Sequence, residues 1–256
     1  MRKFVPAALA AASALTCAAA IAAEPVRFVA CPVYRDTDAG RKSGCWLATD
    51  GATGTRYDVS DAPYKPWIGR MILVEGQPAD SPDICGGVPL APVRVAVLEE
   101  TCAEVLIPAE GYPSKPSVLP KDVMAPSSVP RVLPPGPYSR QQYEIEFSFG
   151  DDRLMYQHVE TTIERAALYA QASKAGRVEV IGRADTPGFT ASHRPMREPG
   201  RLAAARAGMV REALLRLGVP AASIVVREDT HPQPLADAPP ALRDVSRRRA
   251  TIVVTP

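Results

Sequence analysis

The sequence predicts an α+β protein with two domains, an all-β domain followed by a layered α/β domain. Three observations support this expectation. Short apolar runs separated by turn residues fill positions 24–107, strand and helix patterns alternate across positions 141–256, and prolines crowd the stretch between them. A chain of 256 residues is long enough for each domain to bury a core of its own.

The chain begins with the pattern of an export signal. Arg2 and Lys3 precede a small, apolar stretch that ends in alanines, so we expect residues 1–23 to be removed. Lipidation of Cys17 is not expected, because Thr16 stands where lipoproteins normally carry Gly, Ala or Ser. The formal net charge of +2 comes from Arg2 and Lys3, since no acidic residue precedes position 24. The exported protein is therefore close to neutral, which argues against a general nucleic-acid binder.

Positions 24–107 predict a small disulfide-bonded barrel or sandwich, similar in architecture to oligonucleotide/oligosaccharide-binding folds. Turn signals such as Asp50-Gly51 and Gly86-Gly87 separate short apolar runs. The candidate strands are 26–30, 45–48, 55–59, 71–75 and 93–98.

The cysteines left after signal removal are expected to form disulfides. An even set in an exported chain favours bridges, here among Cys31, Cys45, Cys85 and Cys102. Three pairings are possible, and we favour Cys31–Cys45 with Cys85–Cys102, because each pair would close one hairpin. Zinc is disfavoured, because the spacing lacks short Cys-x-x-Cys pairs.

Positions 108–140 predict an extended spacer, because proline fixes φ and removes backbone donors. The remainder, 141–256, predicts strands and helices in the order βαβαββ. The expected strands are 143–149, 178–181, 223–227 and 250–254, and the expected helices are 155–175 and 201–217.

One arginine interrupts the apolar face of the second helix. Arg206 lies four residues after Leu202 and four before Val210, on the same helical face. A guanidinium keeps its charge, so it needs a carboxylate partner or a wet cleft. Asp185, at the end of the preceding strand, is the candidate partner. Such a pair suits a charged ligand with both an ammonium and a carboxylate, although an internal Asp185–Arg206 salt bridge without any ligand remains open.

Further candidates flank this pair. Thr186 is a possible hydrogen-bond donor beside Asp185. Arg248 and Arg249 open the last strand, and only one of them can face a shared cleft, because neighbouring strand residues point to opposite faces. The sequence does not choose between them, and a solvated basic edge is the alternative.

Enzyme chemistry is not expected, and neither is a metal or a cofactor. His158, His193 and His231 lie in no metal-ligand spacing and beside no nucleophile motif. The adjacent Asp151 and Asp152 are typical of a turn after a strand.

Three segments resemble the signatures of OmpA-like peptidoglycan-binding domains. They are Gly182-Arg183-Ala184-Asp185-Thr186-Pro187-Gly188, then Leu202-Ala203-Ala204-Ala205-Arg206-Ala207, and Arg248-Arg249-Ala250-Thr251-Ile252. The resemblance implies that Asp185, Arg206 and one or both of Arg248 and Arg249 bind diaminopimelate in the peptidoglycan stem peptide. It also implies a location in the periplasm, either free or associated with the outer membrane, and a role as a non-catalytic anchor. A separate envelope protein would then bind the all-β domain, which the spacer would hold within its reach.

The chain departs from the family pattern at several neutral positions. Arg183 and Ala184 replace a His-Thr pair, Pro199 and Ala203 replace an Asn and a Ser, and Arg247 replaces an Asn. The alternative function is therefore a degenerate domain that serves as a periplasmic interaction scaffold without binding the cell wall.

Overall fold

The computed structural model describes residues 23–37, 44–113, 128–154 and 157–256, with the side chains of residues 157 and 158 left undescribed. The export signal, Cys17, the middle of the proline-rich spacer, the start of the first predicted helix and the side chain of His158 therefore lie outside the described residues.

Residues 24–107, called the β domain below, contain an open sheet whose seven described strands have the order β1-β5-β6-β4-β3-β2-β7. Since β1 and β7 are its ends, the described strands do not form a closed barrel, and the expected barrel is not confirmed. The strands are β1 Val26–Ala30, β2 Pro32–Arg35, β3 Cys45–Thr49, β4 Arg56–Asp58, β5 Arg70–Pro78, β6 Val88–Thr101 and β7 Val105–Ile107.

The β domain contains two disulfides, but the pairing we favoured from sequence is wrong. Cys31 is bonded to Cys102 and Cys45 to Cys85. Neither bridge closes a single hairpin, because the partners are 71 and 40 residues apart. Loops of this length give roughly 4 kcal/mol of stabilisation each in a chain-entropy treatment.

Strand β5 is apolar on both of its faces. Ile72 and Val74 pack into the core of the β domain, whereas Leu73 faces the other way and packs with Val29 and Ala96. A continuous apolar run in a strand indicates burial on both sides. Here the second face is covered by Ala191 and Met196, which lie in the C-terminal part of the chain.

Residues 141–256, called the layered domain below, have the expected order βαβαββ with one inserted hairpin. Its four-stranded sheet has the order β12-β9-β13-β8. The sheet consists of β8 Gln141–Glu146, β9 Arg177–Arg183, β12 Ile224–Asp229 and β13 Arg249–Thr255, and it packs with α1 Gln157–Ala172 and α2 Arg201–Arg216 around one apolar core.

Helix α2 lies unusually close to β9. A Cβ on Gly182 would lie 2.0 Å from the carbonyl oxygen of Ala203, so only glycine permits this approach. The close packing brings Arg206 of α2 next to the end of β9, where Asp185 follows.

The inserted hairpin, β10 Phe189–Ala191 and β11 Arg194–Met196, was not predicted from the sequence. Its turn residues Ser192 and His193 have φ of 47° and 61°, a conformation that hairpin turns usually fill with Asn-Gly. The hairpin reaches the β domain, where the backbone N–H of Val29 donates to Ser192 Oγ at 2.9 Å.

The two domains are docked against each other. Ala191 and Met196 of the hairpin share an apolar cluster with Val29, Leu73 and Ala96 of the β domain. Charged groups surround this contact, with ion pairs Arg27–Asp244, Arg94–Glu146, Arg194–Glu100 and Arg248–Glu75. The arrangement differs from the tethered, separate domains that the spacer suggested.

The C-terminal end of the spacer contacts the layered domain. The backbone N–H of Ser139 donates to Tyr169 Oη at 2.8 Å, and Arg131 pairs with Glu164 on helix α1. In the part of the chain that the structure describes, no helix is both long and apolar enough to cross a bilayer.

Candidate functional site

Arg206 is fully buried, as the helical pattern predicted, but its carboxylate partner is Glu198. Nη1 and Nη2 donate to the two carboxylate oxygens of Glu198 at 2.8 Å and 2.6 Å. The guanidinium also donates to the carbonyl oxygens of Asp151, Arg183 and Ser148 at 2.9, 2.7 and 3.3 Å. The guanidinium therefore forms its hydrogen bonds within the layered domain, and no ligand reaches Arg206 in this conformation.

Glu198 lies in the segment that joins β11 to α2. Besides holding Arg206, its carboxylate accepts hydrogen bonds from the backbone N–H groups of Asp185 at 2.8 Å and Gly150 at 2.9 Å. Burial pushes the pKa of Glu198 upward, but hydrogen bonds and charge from Arg206, together with the charge of Arg248, bring it below its ordinary value. Glu198 is thus a negative charge fixed at the base of the site.

Asp185 is also fully buried, and it does not bond to Arg206. Its Oδ1 accepts from the backbone N–H of Gly188 at 3.3 Å and lies 3.7 Å from Arg247 Nη1. Its Oδ2 has no hydrogen-bond partner among the described residues. Burial raises the pKa of Asp185, and the nearby Arg248 and Arg247 charges oppose that rise. One acceptor of the predicted pair therefore remains unused.

Arg248 is the arginine that faces this region. Its side chain is 1% exposed and is paired with Glu75 of the β domain, near the rings of Phe149 and Phe189. Burial lowers the pKa of Arg248, but the Glu75 and Glu198 charges outweigh burial and raise it. In the described part of the chain, its Nε and Nη1 have no hydrogen-bond partner.

Arg249 points to the opposite side, as alternation along a strand requires. It pairs with Glu144 at 3.3 Å and donates to the backbone carbonyl of Ser246. Thr186 is half-buried and donates its hydroxyl to the carbonyl of Thr230. Among the described residues, neither side chain forms a hydrogen bond or an ion pair with Asp185.

We define the charge cluster as the three arginines and the three carboxylates gathered at this end of the layered domain. Its members are Arg206, Arg247, Arg248, Asp185, Glu198 and, from the β domain, Glu75. The inner pair, Arg206 with Glu198, is closed within the layered domain. The outer groups, Asp185 with Arg247 and Arg248, retain unused polar atoms.

The sequence analysis missed Glu198, Arg247 and Glu75. Glu75 carried a usable signal, because it is a charged residue that continues the apolar run of β5. Glu198 carried a weaker one, since it precedes a Pro-Gly pair at the start of the helix. Arg247 was noted only as a departure from the family pattern, yet it is the arginine that pairs with Asp185.

Two of the residues considered for enzyme chemistry contact neighbouring side chains of the chain itself. Asp151 pairs with Arg153 at 2.9 Å, and His231 lies 3.1 Å from the hydroxyl of Thr230. Within the described ranges, no three His, Cys, Asp or Glu side chains gather as a metal site would need.

Comparisons with known proteins give structural likeness only. No family model matches the chain, and no curated protein matches it. The OmpA-like domain of FopA1 from Francisella tularensis subsp. tularensis SCHU S4 is similar, with 18% identity, a TM-score of 0.37, and coverage of 45% of this chain and 71% of that chain.

Two further solved structures are similar over a comparable share of the chain. The peptidoglycan-associated lipoprotein from Burkholderia pseudomallei has 23% identity, a TM-score of 0.35, and coverage of 44% of this chain and 90% of that chain. The cell wall anchor of the T6SS from Pseudomonas aeruginosa has 21% identity, a TM-score of 0.35, and coverage of 45% and 81%. The likeness is to OmpA-like domains, and at this identity it does not extend to what those proteins bind.

Proposed function

We propose that the chain is a non-catalytic protein of the bacterial periplasm whose layered domain associates with peptidoglycan. The supporting observation is the outer part of the charge cluster, where Asp185 Oδ2 and the unused donors of Arg247 and Arg248 lie at one end of the sheet. One free acceptor beside free guanidinium donors suits a ligand that carries an ammonium next to a carboxylate. Diaminopimelate in the stem peptide has this chemistry.

The residues have separate roles in this proposal. Asp185 receives the ammonium, Arg248 and Arg247 receive the carboxylate, and Arg206 with Glu198 holds the end of β9 against α2. Thr186 and Arg249 are not assigned a ligand contact, because their side chains donate hydrogen bonds to backbone carbonyls of the chain itself. The proposal therefore keeps Asp185 and Arg248 from the sequence-based set and adds Arg247.

Co-sedimentation with purified sacculi tests the proposal. The wild-type chain is expected to pellet, and free diaminopimelate is expected to reduce the pelleted fraction. Replacing Arg248→Gln should weaken binding about tenfold or more, because a charge-assisted hydrogen bond contributes roughly 1.5–3 kcal/mol. Arg243→Gln is the matched control, since Arg243 is exposed and carries the same charge.

Two results would count against it. Equal pelleting of Arg248→Gln and wild type, with both chains folded, would mean that the cluster is not the binding site. A complete absence of pelleting by the wild-type chain and by all of its variants would exclude peptidoglycan as the ligand.

A second candidate function is a periplasmic interaction scaffold with no affinity for the cell wall. It is favoured by the full burial of the Arg206–Glu198 pair, which leaves the arginine that the family resemblance emphasises without access to a ligand. Titration of diaminopimelate while backbone amide shifts are recorded separates the two functions. Shifts confined to residues near Asp185 and Arg248 favour peptidoglycan binding, and unchanged spectra favour the scaffold.

A further inference from the structure

The surface of the β domain that docks onto the layered domain covers Arg248 of the charge cluster. Glu75 projects from β5 and forms an ion pair with Arg248 from the other domain. The same carboxylate is held from its own side by Arg27, whose Nε lies 3.1 Å from Glu75 Oε1. Arg27 also reaches Asp244 of the layered domain at 2.9 Å. Glu75 of the β domain is thus paired with Arg248, the arginine that the proposed ligand would bind.

Burial of Glu75 makes this contact more than a surface ion pair. Glu75 is 2% exposed in a strand whose neighbours are apolar. A carboxylate in such surroundings is costly unless it is paired, and Arg248 is an equally buried partner. Among the described residues, Arg248 forms its ion pair with Glu75, so separating the domains leaves Arg248 without its hydrogen-bonded carboxylate.

The docked arrangement leaves no space for a ligand beside Arg248. The crevice between the domains is lined by Glu75, Arg94, Glu146, Phe149 and Arg248, and its cavity volume is about 20 Å³. That volume holds about one water molecule. A stem peptide therefore has no access to Arg248 while the domains remain docked.

The apolar part of the contact involves few residues. Its buried members are Val29, Leu73 and Ala96 on one side and Ala191 and Met196 of the short hairpin on the other. Its remaining contacts include polar groups such as Arg194 and Glu100, whose side chains are roughly half exposed. Interfaces between domains of this mixed character commonly allow relative motion.

From these contacts we infer that the β domain is a built-in competitor of the ligand. Glu75 takes the place of the ligand carboxylate on Arg248 in the docked state, and the ligand binds only when the domains part. This inference rests on the proposed function, because it concerns the same site. It adds that binding is regulated and that Glu75 is the group the ligand displaces.

Two variants of the full-length chain test the inference by different means. Glu75→Gln removes the competing charge, and Ala96→Arg places a bulky cation in the apolar contact without altering any residue of the cluster. Glu100→Gln is the matched control, because it neutralises another carboxylate that bridges the domains but lies outside the cluster. Near-ultraviolet circular dichroism verifies that each variant is folded.

Hydrogen exchange and sacculus binding are measured on the same samples. Faster exchange is expected at Val29 and across β10–β11 in Glu75→Gln and Ala96→Arg but not in Glu100→Gln. If about a tenth of the wild-type chain is undocked, both variants should bind sacculi roughly tenfold more tightly. Adding Arg248→Gln to either variant should remove that gain.

Each outcome decides the inference. Unchanged exchange in both variants would show that the domains do not separate, and the inference would be wrong. Faster exchange without tighter binding would also overturn it, while the proposed function would stand if wild type itself pellets. If no chain pellets, including variants shown to be undocked, both the inference and the proposed function fail.

Discussion

Arg206 and Arg248 are both buried arginines paired with a buried glutamate, but the glutamates come from different parts of the chain. Glu198 belongs to the same domain as Arg206, so that pair persists whenever the layered domain is folded. Glu75 belongs to the other domain, so the pair with Arg248 depends on docking. The comparison teaches that burial alone does not distinguish a structural charge from a conditional one. The source of the counter-charge does.

The largest expected difference is between the losses of stability caused by replacing Glu198 and by replacing Glu75. Glu198→Ala leaves the guanidinium of Arg206 buried without its carboxylate and should cost about 3–5 kcal/mol in the free energy of unfolding. Glu75→Ala should cost less, about 1–2 kcal/mol, because undocking lets water reach Arg248. Urea unfolding measures both, with Glu212→Ala as an exposed control. Equal losses in the two variants would contradict the comparison.

A fall in pH should change the contributions of Glu198 and Asp185 to the free energy of unfolding in opposite directions. The pKa of Glu198 is lowered by folding, so its contribution to stability is present above its ordinary pKa and is lost as the pH falls through its folded pKa. The pKa of Asp185 is raised, so its contribution is present at low pH and is lost as the pH rises through its folded pKa.

Two isosteric variants measure this difference. The free energy of unfolding of Glu198→Gln should decline less steeply than that of wild type between about pH 5 and pH 3, whereas that of Asp185→Asn should decline more steeply. Urea titrations across this range provide the slopes, and Asp237→Asn is an exposed control. Parallel slopes for all the chains would argue against opposite roles for the two carboxylates.

The smallest expected effect is that of Asp185→Asn at neutral pH. Above its folded pKa, Asp185 is ionised in buried surroundings with one oxygen unpartnered. An asparagine can still accept from Gly188, so stability should rise by less than about 1 kcal/mol. Thermal unfolding at pH 7 tests this, while sacculus binding should weaken. A large loss of stability would mean that Asp185 supports the fold and does not await a ligand.

The strongly periodic elements were predictable because their patterns reflect burial. The helix expected at 201–217 is observed as Arg201–Arg216, and Arg206 lies on its buried face as expected. The strand expected at 26–30 is observed as Val26–Ala30. In both elements, neighbouring apolar positions within one segment contain the necessary information.

Features that depend on distant partners were not predictable. The hairpin β10–β11 has Ser192 and His193 at turn positions that are usually Asn-Gly, so no local signal marked it. The disulfides join cysteines that are 71 and 40 residues apart, so nearness in sequence does not determine the pairing. Likewise, a pattern on α2 shows that Arg206 needs a carboxylate but not which one supplies it.

The bond between Cys31 and Cys102 has a mechanical consequence. It joins the end of β1 to the end of β6, so tension that enters the β domain near its first strand can pass directly to residue 102. The 71 residues of separation between the two cysteines are then shielded from stretching, which withholds about 250 Å of extension. A protein held between the cell wall and another envelope component would in this way keep strands β2 to β6, which lie between the two cysteines, from being extended under load.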